Sequence, residues 1–250
     1  ERSLHDSGAI MDILKDLDEA GWLLQKDDAV WLDCERFGEE KPEVLVRSNG
    51  LITYFAADIA YHKDKFERGF NTVIDIWGAD HHGHVARMKG AMEALGYSTD
   101  SLEIILMKFV RLYQNGQLLK MSKRTGTYVT LDELVEEVGR DAARFYFVMR
   151  SADSLIDFDM DLAKSESADN PVYYVQYAHA RICSIMAQAP IKIKSKEKVN
   201  VSLCDSAAEG QLILHLADFP DRIVHAAVNR EPHHVANYLL EFMRVNYDFV

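Results

Sequence analysis

The stretch from Leu118 to Leu131 reads LLKMSKRTGTYVTL and concentrates positive charge in a loop. Lys120, Lys123 and Arg124 lie among small residues, and no acidic residue is close enough in sequence to pair with them. Lysine presents a compact charge that suits phosphate oxygens, and glycine lets the backbone approach a ligand closely. The composition therefore fits a phosphate-binding loop, with an ordinary solvated turn as the alternative.

A second stretch, WGADHHGHVARM at 77–88, follows a predicted strand and opens a predicted helix. Ligands of open α/β sheets bind at such junctions. Gly78 would let a flat ring approach, and Asp80 could accept hydrogen bonds from ribose hydroxyls. A metal site is the alternative at the neighbouring histidines, although zinc needs at least three protein ligands in fixed geometry. Those histidines are His81, His82 and His84.

The stretch TYFAADIAYH at 53–62 places Tyr54 and Asp58 four residues apart. On a helix this spacing puts a phenol and a carboxylate on one face. Burying an unpaired carboxylate is costly. An aspartate on so apolar a helix is therefore best explained if Asp58 accepts hydrogen bonds from a cation that binds there. A guanidinium would suit it, since it pairs with a carboxylate through two parallel hydrogen bonds. A surface aspartate on an amphipathic helix is the alternative.

Tyrosines recur in NPVYYVQYAHARI at 170–182, which also carries Arg181. Such aromatic side chains can stack on splayed single-stranded bases. Tyrosines in this pattern are also common in cores and interfaces, so both interpretations stay open for Tyr173, Tyr174 and Tyr177.

Hydrophobic periodicity places these motifs on an α/β framework followed by helices. It predicts strands at 29–34, 43–48, 72–77 and 102–110, a hairpin at 114–116, and helices at 9–20, 54–66, after 80, and at 141–150. Thr130–Glu133 matches a helix capping box, and Asn170 and Pro171 match a helix N-cap and first residue. Pro220 and Pro232 are predicted to separate three further helices, over 206–218, 220–229 and 232–249.

The composition is that of a globular protein: 250 residues, 48% hydrophobic, 27% charged, with formal net charge −12. Residues 107–150 are nevertheless net positive, with 8 bases against 5 acids, so this zone can attract phosphate. The three cysteines follow no disulfide or ligand spacing and are predicted to be buried thiols. No run is long and apolar enough for a bilayer span, and no secretion signal is evident. We therefore expect a cytoplasmic protein.

Taken together, these motifs resemble the arginyl-tRNA synthetases, a family of class I aminoacyl-tRNA synthetases. The resemblance is carried by VRSNGLITYFAADIAYHKDKFERGF, IWGADHHGHVARMKGAMEALG, KMSKRTGTYVTLDELVEEVGRDAARFYF and DFDMDLAKSESADNPVYYVQYAHARI, in the family's order and spacing. It implies a partial Rossmann-like nucleotide-binding fold followed by an all-α bundle. It also implies ATP-dependent activation of arginine, with Mg²⁺ accompanying the nucleotide, and transfer to tRNA(Arg). No protein-bound metal is expected.

The resemblance also implies roles for individual residues. Lys120 and Lys123 would be catalytic, steadying the phosphates. Tyr54, Asp58 and His81 would bind the arginine side chain. The residues expected to contact ATP are Gly78, Asp80, His81, His84, Met121 and Ser122. Those expected to contact tRNA are Tyr173, Tyr177 and Arg181.

The family's first signature, a His-x-Gly-His pattern on an earlier strand-to-helix turn, is absent, and DHHGH follows a different strand. We therefore expect an enzyme fragment that is inactive alone. Its expected parts are the end of the catalytic domain (1–130), a linking helical module (131–165) and a truncated anticodon-binding bundle (166–250). We expect a monomeric full-length enzyme, and an exposed sheet edge that makes this piece prone to self-association. The alternative function is a non-catalytic tRNA-binding module.

Overall fold

The structure, a computed structural model, describes residues 2–119, 128–189 and 200–249. They fall into two compact units, Glu1–Met107 and Lys108–Val250. No helix among the described residues has both the length and the apolar character needed to cross a membrane.

The first unit combines helices with two small sheets. A three-stranded antiparallel sheet has the order β1-β2-β3, and β4 pairs in parallel with β5 from Val73↔Leu102 to Gly78↔Met107. Its helices and strands, in chain order, are α1 (Arg2–Asp6), α2 (Ala9–Glu19), β1 (Leu23–Lys26), β2 (Ala29–Leu32), β3 (Glu43–Val46), α3 (Tyr54–Glu67), β4 (Val73–Gly78), α4 (His82–Ala94) and β5 (Leu102–Met107).

One apolar core holds this unit together. It joins the inner face of α2 to those of α3 and α4 and to the strands, through buried residues that include Ile13, Leu17, Phe55, Ile59 and Met92. Since α4 crosses between two parallel neighbouring strands, β4-α4-β5 is a βαβ unit, whose strands end on the same edge.

The second unit is mainly helical around a small sheet of order β7-β6-β8, in which β6 and β8 are parallel. The Asn115-Gly116 turn has φ values of 52° and 69°, as a two-residue hairpin requires. The elements are β6 (Val110–Gln114), β7 (Gln117–Leu118), α5 (Leu131–Val138), α6 (Arg140–Val148), β8 (Ile156–Asp159), α7 (Met160–Lys164), α8 (Pro171–Gln188), α9 (Ala207–Asn229) and α10 (His233–Phe249).

This arrangement confirms the predicted fold class, and it corrects several local predictions. The single strand predicted over 102–110 is wrong, because the chain leaves β5 at Met107 and enters a different sheet at Val110. The break predicted at Pro220 is also wrong, because α9 runs through it. The short strands β1 and β8 were not predicted. Of the cysteines, only Cys34 is buried, and its burial raises the pKa of the thiol to about 11.

Candidate active site

A cavity of about 490 Å³ opens in the first unit beside the carboxyl end of β4. Its wall contains five of the residues that the sequence singles out as site residues: Tyr54, Asp58, Gly78, His81 and His84. The other lining residues are Phe55, Tyr61, His62, Lys65, Asp75, Ile76, Trp77 and Met88. The predicted amino-acid pocket and the predicted nucleotide wall therefore share one cavity.

Helix α3 forms one side of this cavity. The Thr53 side chain caps the helix by accepting from the Ala56 amide, and its hydroxyl donates to the Val44 carbonyl at 2.8 Å. Residues such as Phe55 and Ile59 are buried in the core. Because the helical period carries Tyr54 and Asp58 to another face, both line the cavity.

The opposite side is built by the turn after β4 and by the first turns of α4. A Cβ atom added to Gly78 would lie only 2.5 Å from the Asp80 carboxylate, so a side chain there would crowd the turn. Nε2 of His84 lies 3.3 Å from the Tyr54 hydroxyl, and the His81 and His84 rings are 5.8 Å apart. Asp80 is exposed next to the cavity and is not part of its lining.

The metal alternative is not supported at these histidines. Among the residues that the structure describes, His81, His82 and His84 are not part of any group with three ligand atoms within 4.8 Å of one another. His81 is more than half exposed and lies 3.8 Å from the Asp80 carboxylate. The arrangement is better suited to contacting an organic ligand through ring faces and hydrogen bonds.

A buried charge network that sequence reasoning missed joins α3 to β4. Lys65 Nζ donates to Asp75 Oδ1 at 2.8 Å, and His62 Nε2 contacts the other oxygen of the same carboxylate. The other ring nitrogen of His62 lies 2.7 Å from the backbone carbonyl of Asp58. Burial raises the pKa of Asp75, but the hydrogen bonds from His62 and Lys65 together outweigh it and hold that pKa below its ordinary value.

The network fixes the part of α3 that carries the pocket residues. It links Asp75, on the strand that leads to Gly78, with the helical turn that contains Asp58. Lys65 and Asp75 form an ion pair in the cavity wall, and Asp58 is a second carboxylate among the lining residues. Such a wall can bind a cation through charge and hydrogen bonds.

The predicted nucleic-acid residues lie in the second unit, on α8. The rings of Tyr173 and Tyr177 are nearly parallel, with centroids 6.1 Å apart, and Tyr177 is half exposed. Arg181 is exposed one turn further along the same helix. Four other predicted site residues, Lys120, Met121, Ser122 and Lys123, lie outside the described residues.

A larger cavity, of about 1000 Å³, lies within the second unit. Its lining mixes the cations Lys108, Arg150 and Arg244 with several carboxylates. Tyr174 on α8 is part of this lining, but none of the residues assigned to arginine, ATP or tRNA lines it. We therefore place the candidate active site in the smaller cavity, where the predicted residues meet.

Comparison with known proteins assigns families to both parts of the chain. Residues 3–183 match the family described as tRNA synthetases class I (R), catalytic domain. Residues 175–249 match the DALR anticodon binding domain. Since the first match covers more than half of the chain, it determines the family.

Two similar relatives are the arginine–tRNA ligases of Moorella thermoacetica and Carboxydothermus hydrogenoformans. The first is 55% identical over 252 residues, covering 100% of this chain and 45% of the relative. The second is 58% identical over 244 residues, covering 96% of this chain and 44% of the relative. The chain thus spans a little under half the length of these relatives.

Solved structures agree in fold. A Campylobacter jejuni structure, described as that of a candidate arginyl-tRNA synthetase, superposes with a TM-score of 0.89 at 36% identity, over 99% of this chain and 54% of that one. The Thermus thermophilus arginyl-tRNA synthetase superposes with a TM-score of 0.80 at 22% identity, over 98% of this chain and 50% of that one. At that lower identity the likeness concerns the fold alone.

Proposed function

Because this chain belongs to the class I tRNA synthetases of the (R) family, we propose that it forms part of an arginine–tRNA ligase. In the first step, the carboxylate of arginine attacks the α-phosphorus of ATP, and arginyl-adenylate forms as pyrophosphate leaves. The 3′-terminal ribose of tRNA(Arg) then takes the arginyl group and AMP is released. Mg²⁺ enters with the nucleotide, and the protein works in the cytoplasm.

One observation carries this proposal: Tyr54 and Asp58 share a cavity with Gly78 and His81 at the end of β4. An amino-acid side-chain pocket and a nucleotide wall must lie side by side if a carboxylate is to reach an α-phosphate. The Asp58 carboxylate receives the forked guanidinium, while Tyr54 and His81 flank it. Lysine binds more weakly, because its single ammonium group cannot make the paired hydrogen bonds of a guanidinium.

ATP lies along the turn that follows β4. Gly78 admits the adenine ring close to the backbone, Asp80 accepts from the ribose hydroxyls, and His81 and His84 border the nucleotide. Lys120 and Lys123, with Met121 and Ser122 between them, steady the phosphates. This last assignment comes from the resemblance of the motif, because all four residues lie outside the described part of the chain.

The helical part binds tRNA. Tyr173, Tyr177 and Arg181 offer two stackable rings and a cation along α8, and residues 175–249 match an anticodon binding domain. In functional terms we divide the chain into the end of the catalytic domain (1–130), a linking module (131–165) and the anticodon-binding bundle (166–250).

Arginine-dependent ATP–pyrophosphate exchange in the full-length natural protein, with tRNA(Arg) present, tests the proposal. We expect exchange with arginine and far less with lysine at equal concentration. Salt-dependent tRNA binding without any exchange would contradict catalysis and support a non-catalytic tRNA-binding module. Exchange with lysine as fast as with arginine would refute the role of the Asp58 pocket.

A further inference from the structure

The corner between α9 and α10 brings two histidines and a glutamate together. Helix α9 ends at Asn229, and the C-cap residue Arg230 adopts the left-handed conformation with φ 59° and ψ 37°. The Glu231 amide donates back to the Ala226 carbonyl at 2.9 Å, and Pro232 precedes the first residue of α10. This closed turn fixes where Glu231 lies relative to the end of one helix and the start of the next.

The ligand atoms of the three side chains converge across this corner. Glu231 Oε2 lies 3.0 Å from His234 Nε2, on the first turn of α10, and 3.9 Å from His225 Nε2, on the last turns of α9. The atoms all lie within 4.8 Å of one another, and the two imidazole rings are 4.6 Å apart. All three side chains retain solvent access, from 29% for His234 to 54% for His225.

This geometry is close to that of a zinc ligand set. With Zn–N and Zn–O bonds of about 2.0–2.1 Å, two ligands of a tetrahedral ion lie about 3.3 Å apart. The two distances from Glu231 fall on either side of that value, and the ligand atoms of His225 and His234 lie within 4.8 Å of one another, so adjustments of about 1.5 Å or less by exposed side chains would bring all three atoms onto one ion. Two histidines and a glutamate are, moreover, ligands that zinc accepts together, with water in the fourth position.

We propose that His225, Glu231 and His234 form a binding site for a divalent transition metal ion, with zinc as the preferred ion. The ion joins the end of α9 to the beginning of α10 and so stabilises this helical corner. The site departs from the sequence-based expectation that the protein binds no metal of its own. It uses none of the histidines at 81–84, and it does not depend on the proposed catalytic function.

Isothermal titration of the 250-residue chain with ZnCl₂, after dialysis against a chelator, tests the site. We expect saturable binding of one zinc ion per chain, and no comparable binding of Mg²⁺, which prefers oxygen ligands. Since substitutions of groups that only support a metal ligand already weaken binding roughly 10–100-fold, removing a ligand itself by His225→Ala or His234→Ala should weaken zinc binding by roughly 100-fold or more. The matched control is His5→Ala, an exposed histidine in the first unit, which should bind zinc like the wild type.

Two further measurements separate metal ligation from a structural effect of the substitutions. Glu231→Gln keeps the size of the side chain, should retain the helical circular dichroism, and should still lose zinc affinity. Zinc should also raise the thermal unfolding midpoint of the wild type and of His5→Ala, but not that of His234→Ala. The absence of saturable binding to the wild type would refute the site. One-to-one binding that survives the double substitution of His225 and His234 would refute it too, by placing the ion elsewhere, such as at the His179–Cys183 pair.

Discussion

Asp75 ties α3, which carries Tyr54 and Asp58, to the strand that leads to Gly78, so Asp75→Asn should destabilise the first unit. Asp75, His62 and Lys65 are only 11%, 5% and 14% exposed in their side chains. Removing one partner of a buried ion pair costs roughly 3–5 kcal/mol. Asparagine keeps one acceptor oxygen, and the network keeps some contact with water. We therefore expect Asp75→Asn to lower the free energy of unfolding by about 2–3 kcal/mol.

Tryptophan fluorescence during urea unfolding measures this loss selectively. The chain's three tryptophans, Trp22, Trp31 and Trp77, all lie in the first unit. The matched control is Asp64→Asn, which breaks the exposed Asp64–Arg68 pair on the same helix. Because exposed pairs contribute little, the control should lose less than about 1 kcal/mol. Equal losses for the two variants, or no loss for Asp75→Asn, would refute the structural role of the network.

The pH dependence of the same difference gives an independent check. The folded state lowers the pKa of Asp75, so its ionisation stabilises the protein fully above the ordinary pKa of an aspartate. This contribution is lost as the pH falls below about 4 and passes through the folded pKa. The stability gap between the wild type and Asp75→Asn should therefore be largest near neutral pH and should narrow in acid. A gap that widens in acid would contradict the assigned shift.

Two further predictions concern the second unit. Asn170 is 3% exposed, donates to the Ala163 and Ser165 carbonyls and caps α8. Asn170→Ala should therefore lower the free energy of unfolding by about 2–3 kcal/mol, measured by far-UV circular dichroism during urea unfolding. A loss below about 0.5 kcal/mol, the size of a neutral surface substitution, would contradict this role. Pro220→Ala restores a backbone N–H donor inside α9, so it should raise the free energy of unfolding by about 1–3 kcal/mol in the same assay. A lower free energy of unfolding for this variant would show that the helix accommodates the proline without cost.

Local features with their own chemistry could be predicted from the sequence. The Asn115-Gly116 hairpin, the capping box of Thr130 with Glu133, and the start of α8 at Asn170 each depend on a few neighbouring residues, and all are confirmed. The pairing of Tyr54 with Asp58 on one helix face also follows directly from the helical period.

Features set by tertiary contacts were harder to predict. The apolar run at 102–110 does not reveal that it divides between two sheets, where the Lys108 amide donates to the Ala152 carbonyl. Helix α9 continues through Pro220, and next to the proline it contacts α10. Tyr238 on α10 packs against Phe219, and its hydroxyl donates to the His215 carbonyl, more than one helical turn before the proline.

The charge network at Asp75 had a signal that could have been used. An aspartate inside the apolar strand VIDIWG needs a partner, since buried carboxylates are rarely unpaired. His62 and Lys65 lie three residues apart on α3, which places them on one face. The sequence does not show that this face of α3 packs onto β4. The contact of His62 and Lys65 with Asp75 could therefore not be predicted.

The most direct test of the central claim is the affinity of arginine for the Asp58 carboxylate. Isothermal titration of the full-length natural protein would compare arginine, its uncharged analogue citrulline, and ATP in the wild type and Asp58→Asn. Charge-assisted hydrogen bonds contribute about 1.5–3 kcal/mol, so arginine should bind about 10–100-fold more weakly to the variant. Citrulline and ATP affinities should change little. Unchanged arginine affinity, or an equal loss for arginine and ATP, would contradict the claim that Asp58 selects the guanidinium.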